Sequence, residues 1–515
     1  MSDRPPVIWS IAGTDSGGGA GLAADQRMAD AFGVHLGSVV AAITAQNSQR
    51  ITHIAPVGSQ RLDVQLAALE EDMPPAVVKT GLLGTVEHIE RVAAWIDRLR
   101  SRAPVALVVD PVLAASTGAS FATGDSLRAY RELLLPRTTV LTPNRSEAAR
   151  LLGEEAEVPV MAQRLQAMGV PTVCIKGGDN ADDSGLSLDW LSSPNADGWL
   201  ASERIATPHN HGTGCSFATA VASAMALGFV SADAAVLAKM ATTHALVHGY
   251  AAGAGAGPVR ARPGFASLPE RLPRMSWSAS PMFMPRKPAP PRRALGLYAI
   301  VDSADRLAAV LDAGVRTVQL RIKTPADAND AWHEGLREQI GRSIAACRAV
   351  DAELFVNDHW QLALQLGARG LHLGQEDLAA LTDHERHELT HGGIALGISS
   401  HSLWELCRAA TMNPRYVACG PVWPTLTKAM PWRPQGTHNL GWWCDMSPAP
   451  VVAIGGILDT SLAHEAARCG ADGVCIVRGI GEDAAHTVPA FEAAIESGKR
   501  MPRIARHSEL PHPSL

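Results

Sequence analysis

Short apolar runs, each closing on Gly, Asp, Asn or Pro, recur along the chain between alanine-rich stretches of helical character. In the first half they read VIWSIAG, AVVKTG, ALVVDPV, TVLTPN and TVCIKGG. Their apolarity is continuous rather than alternating, which suits strands covered on both faces. This half therefore predicts a doubly wound α/β fold, a parallel sheet with helices on each side (an αβα sandwich). The second half repeats the pattern between 297 and 479, as LYAIVD, RTVQLR, ELFVND, GLHLG, IALGIS, YVACGPV, PVVAIGG and GVCIVRG. So many βα units in that span sit at the lower size limit of a (β/α)8 TIM barrel. A second doubly wound sheet is the alternative. In both architectures ligands collect at the carboxyl ends of the strands, where the polar residues of these runs lie.

The stretch 253–293 is dense in Pro, Arg, Ala and Gly and has neither helical nor strand period. Its later part predicts an extended linker over 268–292, between a first domain at 1–267 and a second at 293–498. A long internal loop is the alternative. The polar stretch 499–515 predicts a frayed tail. With 515 residues, 46% hydrophobic and 19% charged, each domain can bury a core, which excludes wholesale disorder. The net charge of -6 argues against a bulk nucleic-acid or membrane-surface binder. No run approaches the roughly 18 apolar residues of a membrane span, and MSDRPPVIWS lacks the apolar stretch of a signal peptide. Eight irregularly spaced cysteines fit reduced thiols in a cytoplasm. Whether the chain forms a homo-oligomer stays open.

Candidate chemistry in the first half starts at residues 11–27, IAGTDSGGGAGLAADQR, where a strand opens into a Gly-rich turn and then a helix. The glycines allow close backbone approach to a ligand, and Asp25 is expected to face it. Asp110 ends a strand in DPV. In LTPNRSEA, Asn144 and Glu147 lie three apart at a strand-to-helix junction, suited either to a hydrated Mg²⁺ near phosphate oxygens or to capping the helix. In HNHGTGCSFATAVASAMALG, residues 209–228, small residues including Gly212 and Gly214 precede a long alanine-rich helix. The free N–H groups of such a helix start form an anion hole. Cys215 stands there, where a thiol pKa is expected to fall and the sulfur to accept a proton from a substrate hydroxyl. His209, His211 and Cys215 as metal ligands, or Cys215 as a core thiol, are the alternatives.

The order AGTDSGGGAG, TAQN, KTG, DPV, LTPNRSEA, IKGG, HGTGC resembles the hydroxymethylpyrimidine/phosphomethylpyrimidine kinase family of the ribokinase-like superfamily, over residues 7–266. The resemblance implies two ATP-dependent phosphorylations of one pyrimidine, with Mg²⁺, to a diphosphate. It implies Gly13, Asp25 and Gln46 at the pyrimidine. Asp110, Asn144, Glu147, Gly212 and Gly214 would lie in the metal and phosphate region, Lys176 beside the phosphates, and Cys215 would be the catalytic base. Two departures stand out: Leu82 replaces a pocket methionine, and Asp179 replaces a histidine near the nucleotide.

In the second half QLRIK places Gln319, Arg321 and Lys323 at alternating positions, so on one face of a strand end. Facing a barrel mouth, two cations form a phosphate grip. Asn357 and Asp358 end the third run, Asp377 follows the fourth, and two carboxylates at neighbouring strand ends suit a diphosphate-bound Mg²⁺. Asp377 in a helix cap is the alternative. Ser399 ends the fifth run, Thr425, Thr427 and Lys428 occupy the sixth loop, and Gly455 and Gly456 follow the seventh strand. QLRIK, ND, HLGQED and PTLTK together resemble thiamine phosphate synthase over residues 295–490. That implies attack by the ring nitrogen of thiazole phosphate on the methylene of the pyrimidine diphosphate, with diphosphate leaving. Gln319 and Asn357 would bond pyrimidine or diphosphate, and the Gly456 region would hold the thiazole phosphate. The family pattern of a small apolar residue and Ser on the eighth strand falls here on Val477 and Arg478. A barrel without turnover, regulatory or tautomerase-like, and a pyridoxal-type vitamer kinase are the alternatives.

Overall fold

The computed structural model describes residues 4–113, 123–178, 185–281, 283, 293–425 and 431–515. It divides into two compact units, residues 1–283 and 284–515.

The strands of the first unit are β1 (Val7–Gly13), β2 (His35–Gln46), β3 (Ile51–Pro56), β4 (Val77–Thr80), β5 (Ala106–Val109), β6 (Val140–Leu141), β7 (Thr172–Ile175), β8 (Leu186–Ser192), β9 (Asp197–Glu203) and β10 (Arg274–Met275). They form one sheet ordered β10-β9-β8-β7-β6-β5-β4-β1-β2-β3. The segment from β7 to β2 is parallel throughout. Its five predicted runs are β1, β4, β5, β6 and β7. Trp9 and Ile11 of β1 are buried in a cluster with Leu62, Val78, Ile96 and Leu107, and that double-sided cover explains their unbroken apolarity. The antiparallel edges β3, β8, β9 and β10 escaped the reading because their half-exposed sequences alternate, as in LSLDWLS.

The expected linker needs correcting at its start. Residues 269–276 pack on the first unit: β10 pairs with β9, Leu272 and Met275 are buried, and the Trp199 N–H donates to Ser276 Oγ at 2.8 Å. Two buried apolar residues, Leu272 and Met275, dock a strand that proline and arginine content concealed. Residues 284–292 lie outside the described residues.

The second unit is a closed parallel barrel of β11 (Gly296–Val301), β12 (Thr317–Leu320), β13 (Glu353–Asn357), β14 (Gly370–Leu373), β15 (Ala395–Ser400), β16 (Tyr416–Cys419), β17 (Val451–Ala453) and β18 (Gly473–Ile476). Each of the eight predicted runs is a barrel strand. Tyr298, Phe355 and Tyr416 fill the interior with Val452 and Cys475. The expected frayed tail is also corrected: residues 502–514 run against the barrel and bond to it repeatedly.

None of the eight cysteines is in a disulfide. Among the described residues no helix is long and apolar enough to cross a membrane.

Candidate functional sites

In the first unit the Gly-rich turn after β1 is organised by Asp15. Its carboxylate accepts the N–H groups of Gly17 (2.7 Å), Gly19 (2.8 Å) and Ala20 (2.7 Å), and lies 3.1 Å from His211 Nε2. Burial pushes the carboxyl up, but His211, the Ala20 amide, Gln46 and the Gly17 amide together bring it down to about 2. Asp15 therefore stays ionised and holds the turn in a fixed nest. The second Gly-rich segment packs directly on it. A Cβ on Gly212 would stand 2.1 Å from the Gly19 carbonyl oxygen, so only glycine permits this approach. Gly13 ends β1 with Leu82 beside it, and Gln46 ends β2 half-buried, so these predicted residues share one rim. His211 is Asp15's partner, and among the described residues no group of three or more His, Cys, Asp or Glu side chains is poised to hold a metal. The metal-ligand alternative for His209, His211 and Cys215 falls with it.

Asp110, just past β5, accepts from Lys176 Nζ at 2.9 Å. Lys176 follows β7 and bridges to Asn144 beyond β6, so three neighbouring strand ends converge. A Cβ on Gly214 would stand 3.2 Å from Lys176 Nζ, which puts the ammonium at the start of the helix Thr213–Ala226. Burial alone would lower the Lys176 pKa, but Asp110 and Glu147 raise it overall and keep the cation charged. Glu147 is buried, and desolvation outweighs the pull of Lys176 to push its carboxyl up to about 7. Asn144 is a correction. Its Oδ1 accepts from the Glu147 N–H and its own N–H donates to Glu147 Oε2, both at 2.8 Å, a reciprocal cap that occupies the amide oxygen expected at phosphate. Glu147 also accepts the Leu113 backbone N–H and lies within electrostatic reach of Asp110 and Lys176. Asp179 lies outside the described residues.

Asp25 is the second correction. It is fully buried, accepting from Lys79 Nζ at 2.9 Å, Ser10 Oγ at 2.6 Å and Thr219 Oγ1 at 2.7 Å, so its carboxylate is satisfied within the protein instead of facing an open pocket. The sequence reading took the acid on the helix for the one in the turn. Lys79, missed altogether, is held charged by Asp25, Cys215 and Asp110 against the opposing effect of burial. Cys215 is the third. Burial pushes its thiol up to about 11, and neither Lys79 nor the Gly21 amide outweighs desolvation and the nearby Asp25 and Asp110 carboxylates. The helix terminus alone predicts the opposite sign. Lys79→Met leaves the Asp25 carboxylate buried with two hydroxyl donors and no cation. The expected loss is about 3 to 5 kcal/mol from the first unit, read as a lower denaturation midpoint with the barrel transition unmoved.

In the barrel, Arg321, Lys323, Val477 and Arg478 line one cavity of about 830 Å³ with Asp302 and Arg306. The predicted alternation holds only as far as Arg321, because β12 ends at Leu320 and Ile322 joins the same lining. Gln319 is buried below the mouth, and its Nε2 donates to Tyr298 Oη at 3.1 Å. Its amide is thus part of a core network beneath the strand end where a substrate contact is expected. Tyr298 Oη lies 2.6 Å from Tyr416 Oη, which is 2.7 Å from His372 Nδ1, whose Nε2 is 2.9 Å from Ser399 Oγ. Burial, helped by the charges of Arg321 and His401, brings His372 down to about 3, so it is a neutral imidazole under the mouth. Only its central position in the run HLG marked it in the sequence.

Asn357 is buried at the end of β13, and Asp358 adopts a positive φ of 63° beside it. The Asp358 N–H donates to the His372 carbonyl, and His359 Nε2 donates to the Ile322 carbonyl at 2.9 Å. The acidic third loop is thus tied to the basic second one. Asp377 Oδ2 accepts the Gly374 N–H at 2.8 Å, so the capping alternative accounts for one of its oxygens. Gly455 and Gly456, with φ of 91° and 75°, fold under Pro421 and Trp423, next to Thr425 in sequence. Thr427 and Lys428 lie outside the described residues.

Comparison with known proteins covers both units. The phosphomethylpyrimidine kinase family model matches residues 15–260, and the thiamine monophosphate synthase model matches residues 297–480. A probable thiamine biosynthetic bifunctional enzyme, chloroplastic, of Oryza sativa subsp. japonica is 33% identical over 468 residues, covering 88% of this chain and 81% of its own length. A hydroxymethylpyrimidine/phosphomethylpyrimidine kinase of Synechococcus elongatus is 38% identical over 258 residues, 49% of this chain and 96% of that one. A thiamine-phosphate synthase of Serratia proteamaculans is 44% identical over 200 residues, 38% of this chain and 86% of that one.

Proposed function

Since the chain belongs to the bifunctional thiamine biosynthetic enzymes, we propose how the residues of each half divide the work of its kinase and its thiamine-phosphate synthase. The alternatives of an inert barrel and a pyridoxal-type kinase give way to that membership. In the kinase, 4-amino-5-hydroxymethyl-2-methylpyrimidine and then its monophosphate bind between Gly13, Leu82 and Gln46. ATP sets its phosphates on the N–H groups from Gly212 to Cys215, with Lys176 neutralising them. Cys215 takes the proton of the attacking hydroxyl. Asp110 and Glu147 offer hard carboxylate oxygens that would hold Mg²⁺, which would supply charge screening for the phosphates. Lys79 holds positive charge behind the thiol, and Asp25 holds Lys79.

In the barrel, Arg321 and Lys323 grip the diphosphate of the pyrimidine substrate, and Asn357, Ser399, Thr425, Thr427 and Lys428 complete its binding. Asp358 and Asp377 would hold Mg²⁺ in the barrel, which would supply charge compensation to the diphosphate. The thiazole phosphate lies between Gly456, Val477 and Arg478. As the C–O bond to diphosphate breaks, Arg321 and Lys323 stabilise the negative charge that develops on it. The eight cysteines, none of them in a disulfide, suit a reducing compartment such as the cytoplasm.

The observation carrying this reading is the convergence of Arg321, Lys323 and Arg478 on one mouth cavity. Its test supplies hydroxymethylpyrimidine, ATP, Mg²⁺ and thiazole phosphate to the purified chain. Thiamine phosphate is expected by mass spectrometry, and its absence overturns the reading.

A pH profile tests the base. With the Cys215 thiol pushed up to about 11, the thiolate fraction rises tenfold per pH unit over the whole neutral range. Glu147, at about 7, is fully ionised above pH 8. Kinase kcat should therefore climb with unit slope in a log plot from pH 8 to 9, and a flat profile there removes Cys215 as base.

A further inference from the structure

The last residues of the chain bind where two barrel strands open into the mouth. Gln435 is fully buried and acts as a hub. Its N–H donates to the Pro421 carbonyl at 2.8 Å, just beyond β16, and its Nε2 donates to the His401 carbonyl at 2.7 Å, just beyond β15. Its Oε1 accepts from Asn439 Nδ2 at 2.8 Å. Asn439 in turn clasps the backbone of His512 from both sides: Nδ2 donates to the His512 carbonyl at 2.9 Å, and Oδ1 accepts the His512 N–H at 2.8 Å. His512 Nε2 donates to the Gln435 carbonyl at 2.9 Å, and the Arg433 N–H donates to the Ser514 carbonyl at 2.8 Å. Farther back, His438 Nε2 donates to the Leu510 carbonyl at 2.9 Å, and Arg503 pairs with Asp445 at 2.6 Å. Trp432, three residues before Gln435, stacks on His401 with ring centroids 5.2 Å apart and planes 8° from parallel.

We infer that residues 510–515 are a positioning strap of the synthase site, fixing through Gln435 and Asn439 the backbone that follows Ser399 and Cys419. The physical reason is satisfaction of buried amides. Without the strap, Asn439 loses both backbone partners and Gln435 loses the donor on its carbonyl, at depths where water does not replace them easily. The cheapest response is for residues 431–439 to move toward solvent, and Gln435 then releases His401 and Pro421. Ser399, two residues before His401, and Thr425, four after Pro421, move with them. A tail that merely lay on the surface would not hydrogen-bond both the buried Asn439 side-chain amide and the buried Gln435 carbonyl.

This inference rests on the synthase reading of the barrel, so the intact chain is assayed first. Thiamine phosphate formation from ready-made pyrimidine diphosphate and thiazole phosphate establishes that reading independently. A chain ending at Glu509 is then compared, with His512→Ala as the milder variant and His512→Gln, whose amide can still donate to Gln435, as the rescue. The expected result for His512→Ala is a rise of about tenfold in KM for pyrimidine diphosphate with kcat within about twofold, and wild-type KM for His512→Gln. Kinase activity on the same polypeptide should be unchanged in all three. If the truncated barrel fails to fold, seen as loss of its thermal transition, the two point variants decide alone. A fall in kcat at wild-type KM means a smaller folded fraction and overturns the inference, as do unchanged constants.

Discussion

Cys215→Ala is expected to lower kinase kcat by about 10²- to 10⁴-fold while synthase turnover on ready-made pyrimidine diphosphate stays at the wild-type value. The thiol is the third residue of the helix Thr213–Ala226, beside the turn that brings Gly212 onto Gly19. Lys79 lies close enough to stabilise a thiolate there, though burial keeps the resting group protonated. Transfer of a phosphoryl group to a hydroxyl releases a proton, and Cys215 is the group proposed to receive it. Alanine preserves the helix start and its N–H groups, so nucleotide affinity should change little and the loss should fall on kcat. Turnover by the Cys215→Ala chain within tenfold of wild type would make the sulfur a packing group. The two assays on one polypeptide separate chemistry from folding.

The second large effect is at the barrel. Arg321→Ala should lower synthase kcat/KM by about 10²- to 10³-fold, with kinase turnover intact. Diphosphate leaves with its charge growing, and a cation placed in advance stabilises that charge more than it stabilises the bound ground state. Arg321 also stands near His372, whose low pKa partly reflects the guanidinium charge. The alanine variant should therefore let the His372 pKa rise, a shift visible by NMR titration. Arg321→Lys keeps the charge but loses the planar fork, so an intermediate rate is expected. An alanine variant with wild-type kcat/KM would remove the diphosphate grip from this strand end.

Much of this was legible along the chain because the governing physics is local. A strand covered on both faces must be apolar without interruption, so the five parallel runs of the first sheet and the eight of the barrel announced themselves. Glycine at 212 and 214 and the cations at 321 and 323 were equally plain, since close backbone approach and charge at a strand end leave few residue choices. The order of motifs also carried the family and both activities, which comparison with relatives bears out.

What the chain alone withheld was which polar group ends up inside. Asp15 and Asp25 sit in one motif, yet the first organises the Gly-rich turn and the second is sealed beneath it by Lys79, Ser10 and Thr219. Cys215 has the sequence position of an acidified thiol and the burial of a weakly acidic one. Gln319 turned inward to Tyr298, and residues 510–514 closed on Gln435 and Asn439 instead of fraying. Periodicity, glycine and charge are properties of neighbours in sequence, so the sequence determined the strands, the turns and the family chemistry. Desolvation and hydrogen-bond pairing depend on atoms tens to hundreds of residues apart, so only the tertiary structure decided which of these groups are buried and paired with one another.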